Sequence, residues 1–257
     1  MNMKVDLCGV TLNNPVMTAS GTFGSGAEYA EFVDLNKLGA VVTKGVANVP
    51  WPGNPTPRVA EVYGGMLNAV GLQNPGIDLF VERDIPFLKQ FDTKIMVNVC
   101  GHSTEEYIEV VERLRDQPVD LLEINISCPN VKEGGIAFGQ DPKAVEAITK
   151  EMKKHAAQPV IMKLSPNVTD ITEMARAAEA GGADGLSLIN TITGMKIDIN
   201  RQKFVLANKT GGMSGPAIHP VAVRMVYQTA QAVSIPIVGM GGIMNAEDAI
   251  EMILAGA

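Results

Sequence analysis

A cysteine that follows an apolar run is the residue of this sequence with the clearest chemical potential. Residues 121–126 have the pattern of a strand, and Cys128 comes just after them, with Asn125 and Asn130 on either side. A thiol at the end of a strand is able to act as a base or a nucleophile, and flanking amides hydrogen-bond a planar polar ligand without adding charge. An isolated cysteine more often only packs in a core, but these neighbours favour a chemical role.

Polar or glycine residues also end most of the other apolar runs. If these runs are parallel strands, their carboxyl ends meet at one edge of the sheet, where barrel active sites lie. A single asparagine at a strand end often only caps a helix or bridges backbone groups, so the recurrence is what favours a ligand site. Amides both donate and accept, which suits a flat heterocycle rich in carbonyl and NH groups. The residues are Ser20, Lys44, Asn98, Asn125, Lys163, Asn190 with Thr191, and Gly241 with Gly242.

The two lysines of this set indicate that the ligand or an intermediate is anionic. Lys44 and Lys163 each end an apolar run, and an inward lysine costs desolvation free energy unless an anion or a strong acceptor meets it. The alternative is a salt bridge at the mouth of the barrel. The run Gly239-Met-Gly-Gly242, with Gly211-Gly212 and Gly215, resembles a phosphate cradle made of backbone amides.

The apolar runs alternate with polar helix patterns, which is typical of a parallel α/β fold. Strands are predicted near 15–19, 40–44, 95–100, 121–127, 160–164, 185–190 and 236–240. Helix starts are predicted at the capping box Ser103 to Glu106, at Asp141-Pro142 and at Asn245. We therefore expect a (β/α)8 TIM barrel that lacks strand 8 and helix 8, as a single domain over 1–257 that is truncated at its carboxyl end.

Two connections are too long for simple turns. Residues 45–94 contain a proline-rich stretch at 50–57, and residues 191–218 contain a glycine-rich one at 210–216. Both leave the carboxyl ends of predicted strands, so we expect long loops at that face, of the kind that are functional or ordered by a ligand.

Composition narrows the class of protein. The net charge of −7 argues against general affinity for nucleic acid or anionic membranes. The three cysteines form no CxxC pair, which excludes an iron–sulfur cluster held wholly by cysteines of this chain. The three histidines are scattered, and we predict no metal site. The first residues have no signal-peptide pattern, so a cytoplasmic protein is expected.

Four segments together resemble the dihydroorotate dehydrogenase family. They are Asn125-Ile-Ser-Cys-Pro-Asn-Val-Lys-Glu-Gly-Gly135, Lys163-Leu-Ser-Pro-Asn-Val168, Asn68-Ala-Val-Gly-Leu-Gln-Asn74 and Asn190-Thr-Ile-Thr-Gly-Met195. Cys128 resembles the class 1 enzymes, and the run from Val131 to Gly135 followed by Phe138-Gly139 looks most like class 1B, the FMN-bearing catalytic subunit.

The resemblance implies the oxidation of dihydroorotate to orotate in pyrimidine (UMP) biosynthesis, with hydride transfer to FMN. It implies that Cys128 is the catalytic base. We further expect Cys128 to lie on a loop hinged at Gly134-Gly135 that closes over the substrate and excludes water. It implies substrate binding by Lys44, Asn68, Ala69, Val70, Gly71, Leu72, Asn125, Asn130, Asn190 and Thr191. It implies cofactor binding by Ser20, Lys44, Gly45, Asn98, Asn125, Lys163, Ile189, Gly215, Gly241 and Gly242.

The sequence also bears on the route by which electrons leave the flavin. No GxGxxG motif lies on a strand–helix turn, so reduction of NAD would need a partner. By resemblance to class 1B, that partner is a subunit with FAD and a 2Fe–2S cluster, and the catalytic subunit forms a homodimer within a heterotetramer.

Four other functions remain open. They are a class 1A enzyme that uses fumarate, a dihydropyrimidine dehydrogenase-like flavin domain that acts on uracil, a Schiff-base lyase or aldolase that uses Lys163, and a noncatalytic barrel subunit that binds a nucleotide or a partner.

Overall fold

The computed structural model of this chain describes residues 2–127 and 139–257. The predictions for Cys128, Asn130 and the hinge at Gly134-Gly135 lie outside the described residues.

The described residues form short strands and helices that alternate over most of the chain. The strands are β1 (Val5–Leu7), β2 (Val10–Leu12), β3 (Ala40–Val42), β4 (Val59–Val62), β5 (Gly65–Asn68), β6 (Lys94–Val99), β7 (Leu121–Asn125), β8 (Val160–Lys163), β9 (Gly185–Leu188), β10 (Ile192–Met195), β11 (Ile197–Asp198), β12 (Lys203–Phe204), β13 (Thr210–Ser214) and β14 (Ile237–Gly239). The helices are α1 (Ser20–Phe23), α2 (Ile77–Leu79), α3 (Ile85–Leu88), α4 (Thr104–Leu114), α5 (Pro142–His155), α6 (Ile171–Ala180), α7 (His219–Ala230) and α8 (Ala246–Leu254). A π-helical turn, Phe80–Asp84, joins α2 to α3, and 3₁₀ turns span Leu35–Lys37 and Pro216–Ile218.

The central sheet of the described part has six parallel strands in the order β3-β6-β7-β8-β9-β14. Each of these strands lies at a position that the apolar runs predict. The polar helices α4, α5, α6 and α7 follow successive strands and pack against one another in the same order. The predicted α/β architecture, with a sheet that forms an incomplete barrel, is therefore present.

The predicted strand at 15–19 is wrong. The backbone of this stretch pairs with the sheet at one parallel bridge, between Met17 and Ala40. The amide of Val42 donates to the Thr18 hydroxyl at 2.9 Å, so a side chain takes the place of a backbone carbonyl. Pro15 has no amide hydrogen with which to extend the ladder.

Side chains of the central strands alternate between two environments because successive residues point to opposite faces. The outer face is apolar and packs against the helices, with Val97, Ile124 and Met162 in one large core cluster. The inner face changes character along each strand. On β7 it runs from Leu121 through Glu123 to Asn125, all of them buried.

The hairpin of β1 and β2 closes the amino end of the sheet. Leu7 and Leu12 from the hairpin pack with Met96, Leu121 and Ile161 in a separate apolar cluster. The inner face is thus sealed by hydrocarbon at this end, and polar groups on it are confined to the other end.

The two long connections form a second sheet rather than open loops. Strands β10, β13, β5 and β4 pair in that order, all antiparallel, and Gly212 of β13 lies opposite Asn68 of β5. The prediction of long segments at this face is correct, but each segment is ordered by pairing with the other. The sequence offers little sign of this, because the strands are short and glycine-rich.

The predicted helix starts are confirmed. The side chains of Ser103, Asp141 and Asn245 each accept a hydrogen bond from a backbone amide in the first turn of α4, α5 and α8. Within the described residues, no helix has the length and apolar character needed to cross a membrane.

Candidate active site

A cavity of about 450 Å³ opens at the carboxyl ends of the central strands, a volume typical of small-molecule sites. The structure brings together most of the residues that the sequence predicts for substrate and cofactor. Those that line the cavity are Ser20, Lys44, Gly45, Asn68, Val70, Gly71, Leu72, Asn125, Lys163, Ile189, Asn190, Thr191, Gly215, Gly241 and Gly242.

Two predicted residues of the described part do not line the cavity. Ala69 is fully buried in a small cluster beneath the second sheet, between residues that do line it. Asn98 is fully buried one layer below, where it bonds to other side chains rather than facing the open space. Cys128 and Asn130 lie outside the described residues, but Ser127, which directly precedes Cys128, is buried two residues after the end of β7.

The floor of the cavity is a buried polar cluster built around Glu123. Its carboxylate accepts a hydrogen bond from Asn98 Nδ2 at 2.5 Å and another from Ser187 Oγ at 2.7 Å. Lys163 Nζ lies 3.9 Å from the same carboxylate and donates to Ser20 Oγ at 3.2 Å. A salt bridge, the alternative for Lys163, is therefore present, and Lys163 also lines the cavity.

Strand register explains how these side chains meet. Asn98 lies beside Glu123 on β6 and β7, Asn125 beside Lys163 on β7 and β8, and Lys163 beside Ser187 on β8 and β9. Partners in a parallel ladder share a face, so all of them point inward. Glu123 and Ser187 are the residues of this floor that we did not predict, although the place of Glu123 inside an apolar strand run was a signal.

A directional series of hydrogen bonds leads from the floor to the rim. Asn125 Nδ2 donates to Asn98 Oδ1 at 3.3 Å, and Ser127 Oγ donates to Asn125 Oδ1 at 2.9 Å. Asn190 Nδ2 then bonds Ser127 Oγ at 2.8 Å. A carboxylate can only accept, so Glu123 requires Asn98 to present its NH₂ group, and this choice fixes the orientation of each amide above.

The rim on the opposite side comes from the second sheet. Asn68 Nδ2 donates to the carbonyl of Gly212 at 3.4 Å, which ties β5 to β13. The segment that follows Asn68 turns sharply, with Gly71 and Leu72 both at positive φ. Asn74 holds this turn, because its side chain bonds the carbonyl of Leu72 at 2.8 Å.

The glycine-rich turn after β14 fits a phosphate group. Gly242 has a φ of +69°, and a Cβ placed there would lie 2.6 Å from the carbonyl oxygen of Gly215. Gly215 itself has a φ of +110°. Only glycine satisfies both conditions, so backbone groups line this corner of the cavity, as in anion-binding turns.

His219 supports the same turn. Its Nδ1 lies 2.8 Å from the carbonyl oxygen of Gly241, and its side chain is largely buried. In the sequence it is one of three scattered histidines, and no motif assigns it a role. The structure gives it a contact with the glycine turn, which no local motif indicates.

A cationic floor residue, an array of amides and a backbone cradle form a donor set that fits a flavin nucleotide. The flat ring would lie against the amides and Lys163, and the phosphate against Gly215, Gly241 and Gly242. We therefore take the site to be compatible with FMN, the cofactor that the motifs imply.

The family model described as "Dihydroorotate dehydrogenase" matches residues 2–257 of this chain. This chain belongs to the dihydroorotate dehydrogenase family. The catalytic subunit of dihydroorotate dehydrogenase B (NAD(+)) from Lachnoclostridium phytofermentans is 75% identical over 257 residues, which cover 100% of this chain and 86% of the relative. The subunits of the same name from a Geobacillus strain and from Geobacter sulfurreducens are 58% and 57% identical, and 82% and 84% of their lengths are covered.

Among solved structures, a crystal structure of DHODH from Eimeria tenella in complex with ferulenol has a TM-score of 0.82 to this chain. The aligned region covers 100% of this chain and 77% of the Eimeria tenella chain, with 22% sequence identity. At this identity the likeness bears on the fold alone. The predicted barrel fold and the resemblance to the dihydroorotate dehydrogenase family are confirmed. The roles of individual site residues stay predictions.

Proposed function

We propose that this chain oxidises dihydroorotate to orotate, in pyrimidine biosynthesis, as the FMN-binding catalytic subunit of an NAD-linked enzyme. As a member of the dihydroorotate dehydrogenase family it is an oxidoreductase, and its relatives carry the name of the NAD(+)-linked catalytic subunit. The observation that carries the proposal is the polar end of the central sheet. At this end Asn125 and the inward-pointing Lys163 line the cavity. The buried Ser127 lies two residues after Asn125 and directly precedes Cys128 in the sequence.

The substrate side of the cavity matches an anionic pyrimidine. Asn68, Asn125 and Asn190 offer amide donors and acceptors to ring carbonyl and NH groups. Lys44 lines the same cavity and supplies positive charge for a carboxylate. A neutral dihydropyrimidine without that carboxylate would lose this interaction.

Cys128 takes the proton from the substrate carbon next to the carbonyl group. An unperturbed thiol has a pKa of about 8.5, so a few per cent is thiolate at neutral pH, and activity should rise through the neutral range. The buried amide of Asn125 and the partly buried amide of Asn190 hold the ring in one orientation, which aligns the carbon with the base.

FMN, when bound, supplies the acceptor for the hydride that leaves the substrate. The family is flavin-dependent, and the donor set of this cavity fits FMN. Lys163 and Ser20 would face the ring, and Gly215, Gly241 and Gly242 the phosphate. Lys163 favours negative charge at that position.

Transfer of the electrons to NAD would require a second subunit with FAD and a 2Fe–2S cluster. The name of the relatives, a catalytic subunit, is consistent with such a partner. We place this chain in a homodimer within a heterotetramer, in the cytoplasm.

An anaerobic absorbance spectrum tests the function. FMN in the purified protein should bleach on addition of dihydroorotate and recover its colour with NAD only when the partner subunit is present. A colourless protein that borohydride links to its substrate at Lys163 would instead indicate a Schiff-base enzyme.

Two further additions separate the related activities. Recovery of colour with fumarate alone would indicate the class 1A acceptor, and equal bleaching by dihydrouracil would indicate the uracil-type relative. A retained flavin that dihydroorotate does not bleach would contradict catalysis altogether.

A further inference from the structure

Glu123 is a buried charge with no place in the proposed chemistry. It lies in the middle of β7 and is 0% exposed. It does not line the cavity, so it does not touch a ligand there. A carboxylate in such a position costs desolvation free energy unless it is paired and hydrogen-bonded.

Its partners all belong to the floor of the cavity. One oxygen, Oε2, is 2.5 Å from Asn98 Nδ2 and 3.9 Å from Lys163 Nζ, and the other oxygen accepts from Ser187 Oγ at 2.7 Å. Lys163 is the cationic member of this set, and it reaches from the carboxylate to the cavity wall, where it donates to Ser20 Oγ.

Packing alone does not explain a charged pair at this depth. One layer below, the same strands fill the inner face with Met96, Leu121 and Ile161. Replacing a buried ion pair by hydrocarbon of similar volume is often neutral or stabilising, so a buried pair is weak evidence of a stabilising role. One partner of the pair, Lys163, lines the cavity, so its charge can act on a bound ligand.

We propose that Glu123 is a positioning residue that holds Lys163 against the cofactor side of the cavity and offsets its positive charge. Lys163 is then held in one position in the floor, and the carboxylate of Glu123 beneath it reduces the positive potential that reaches the cavity. The ease of reducing the bound flavin is set by the pair rather than by Lys163 alone. This inference rests on the proposed binding of FMN.

The first test measures the coupling of the two residues in the flavin-free full chain. Glu123→Gln, Lys163→Met and the double variant are compared by thermal unfolding. Each single variant leaves one buried charge without its partner, so the loss of unfolding temperature in the double variant should be smaller than the sum of the two single losses. Additive losses would overturn the pairing.

The second test measures the midpoint potential of bound FMN by chemical reduction, without substrate. Gln still accepts from Asn98 and donates to Ser187, but it carries no charge. Glu123→Gln should therefore raise the midpoint potential of the flavin. The expected rise corresponds to an equilibrium ratio of reduced to oxidised flavin that is about tenfold higher than in the wild type. Glu123→Asp keeps the charge and should stay close to wild type.

Two controls isolate the cause. Asp84→Asn removes another buried carboxylate, one that pairs with Arg83, and should lower stability without changing the potential. Ser187→Ala removes a hydrogen bond to Glu123 but no charge, and its shift in potential should be smaller than that of Glu123→Gln. An unchanged or lowered potential in Glu123→Gln would overturn the proposal.

The outcomes keep this inference separate from the proposed function. A wild-type protein that binds no FMN would contradict the proposed cofactor and the effect on flavin together. Normal bleaching of the wild type by dihydroorotate, with no shift in Glu123→Gln, would overturn the role of Glu123 alone. If Glu123→Gln retains no flavin, thermal unfolding of the single and double variants decides whether Glu123 holds Lys163.

Discussion

The two ends of the central sheet are built from the same strands and filled in opposite ways. At the amino end, Met96, Leu121 and Ile161 meet the hairpin residues Leu7 and Leu12 in a dry apolar cluster. Two residues further along the same strands, Asn98, Glu123 and Lys163 occupy the equivalent inward positions and are joined by hydrogen bonds and charge.

This contrast indicates a division of labour within one sheet. The apolar end stabilises the fold by burying hydrocarbon, which requires shape but no particular chemistry. The polar end carries buried groups that cost free energy unless every partner is present. Changes at the apolar end should act on stability alone, whereas changes at the polar end should also act on catalysis.

The largest expected effect is at the polar end. Replacing Cys128 by alanine should slow reduction of bound flavin by dihydroorotate about 10²–10⁴-fold, because the proton is left without its base. Stopped-flow absorbance of the holoenzyme measures this rate. A rate equal to that of the wild type would remove Cys128 from the mechanism.

At the apolar end, Leu121→Ala should lower the free energy of unfolding by about 2–5 kcal/mol. Leu121 is fully buried beside the hairpin, so its loss leaves a cavity that the surroundings fill only in part. Denaturant unfolding gives the stability, and the activity of the folded fraction should match the wild type. A large drop in activity per folded molecule would contradict the division.

A smaller effect is expected from the rim of the polar end. Ser127→Ala removes the hydroxyl that lies between Asn125 Oδ1 and Asn190 Nδ2, so the two amides lose their common support. We expect about a fivefold higher KM for dihydroorotate with a smaller change in kcat, since one hydrogen bond is worth about 1 kcal/mol. Steady-state kinetics separates the two constants.

The matched control for this change is Thr149→Ala. Thr149 is equally buried, and its hydroxyl donates to the Val145 carbonyl within α5, away from the cavity. Its loss should leave KM unchanged. An equal rise in KM in both variants would show that Ser127 acts only through general stability.

The smallest effect concerns pH and returns to the amino end. Burial, with the nearby carboxylates of Asp184 and Asp6, raises the pKa of Cys8 from 9.0 to about 11. Between these values the unfolded chain has lost the thiol proton and the folded chain keeps it, so stability falls as pH rises from about 9 to 11. Cys8→Ala should lose less stability over this window, as thermal unfolding at pH 8 and pH 10 would show. Equal losses in the two proteins would contradict the shift.

Local pattern was enough to predict the strands of the central sheet and the starts of three helices. Continuous apolar runs indicate buried strands, and the caps at Ser103, Asp141 and Asn245 depend only on residues one turn away. The stretch at 15–19 failed because its pairing depends on the Thr18 hydroxyl, a contact with a neighbouring strand.

The features of the candidate site likewise separate into those that local sequence predicts and those that depend on tertiary contacts. The sequence alone determined which strand ends are polar, because each polar residue directly follows its own apolar run. Only the tertiary structure decided what lies beneath them. Glu123 and Lys163 are far apart in the chain, and they meet because two parallel strands pair in a register that sets both side chains on the inner face. A charge inside a strand has no local signature of its partner, since that partner is chosen by register and curvature rather than by spacing in the sequence.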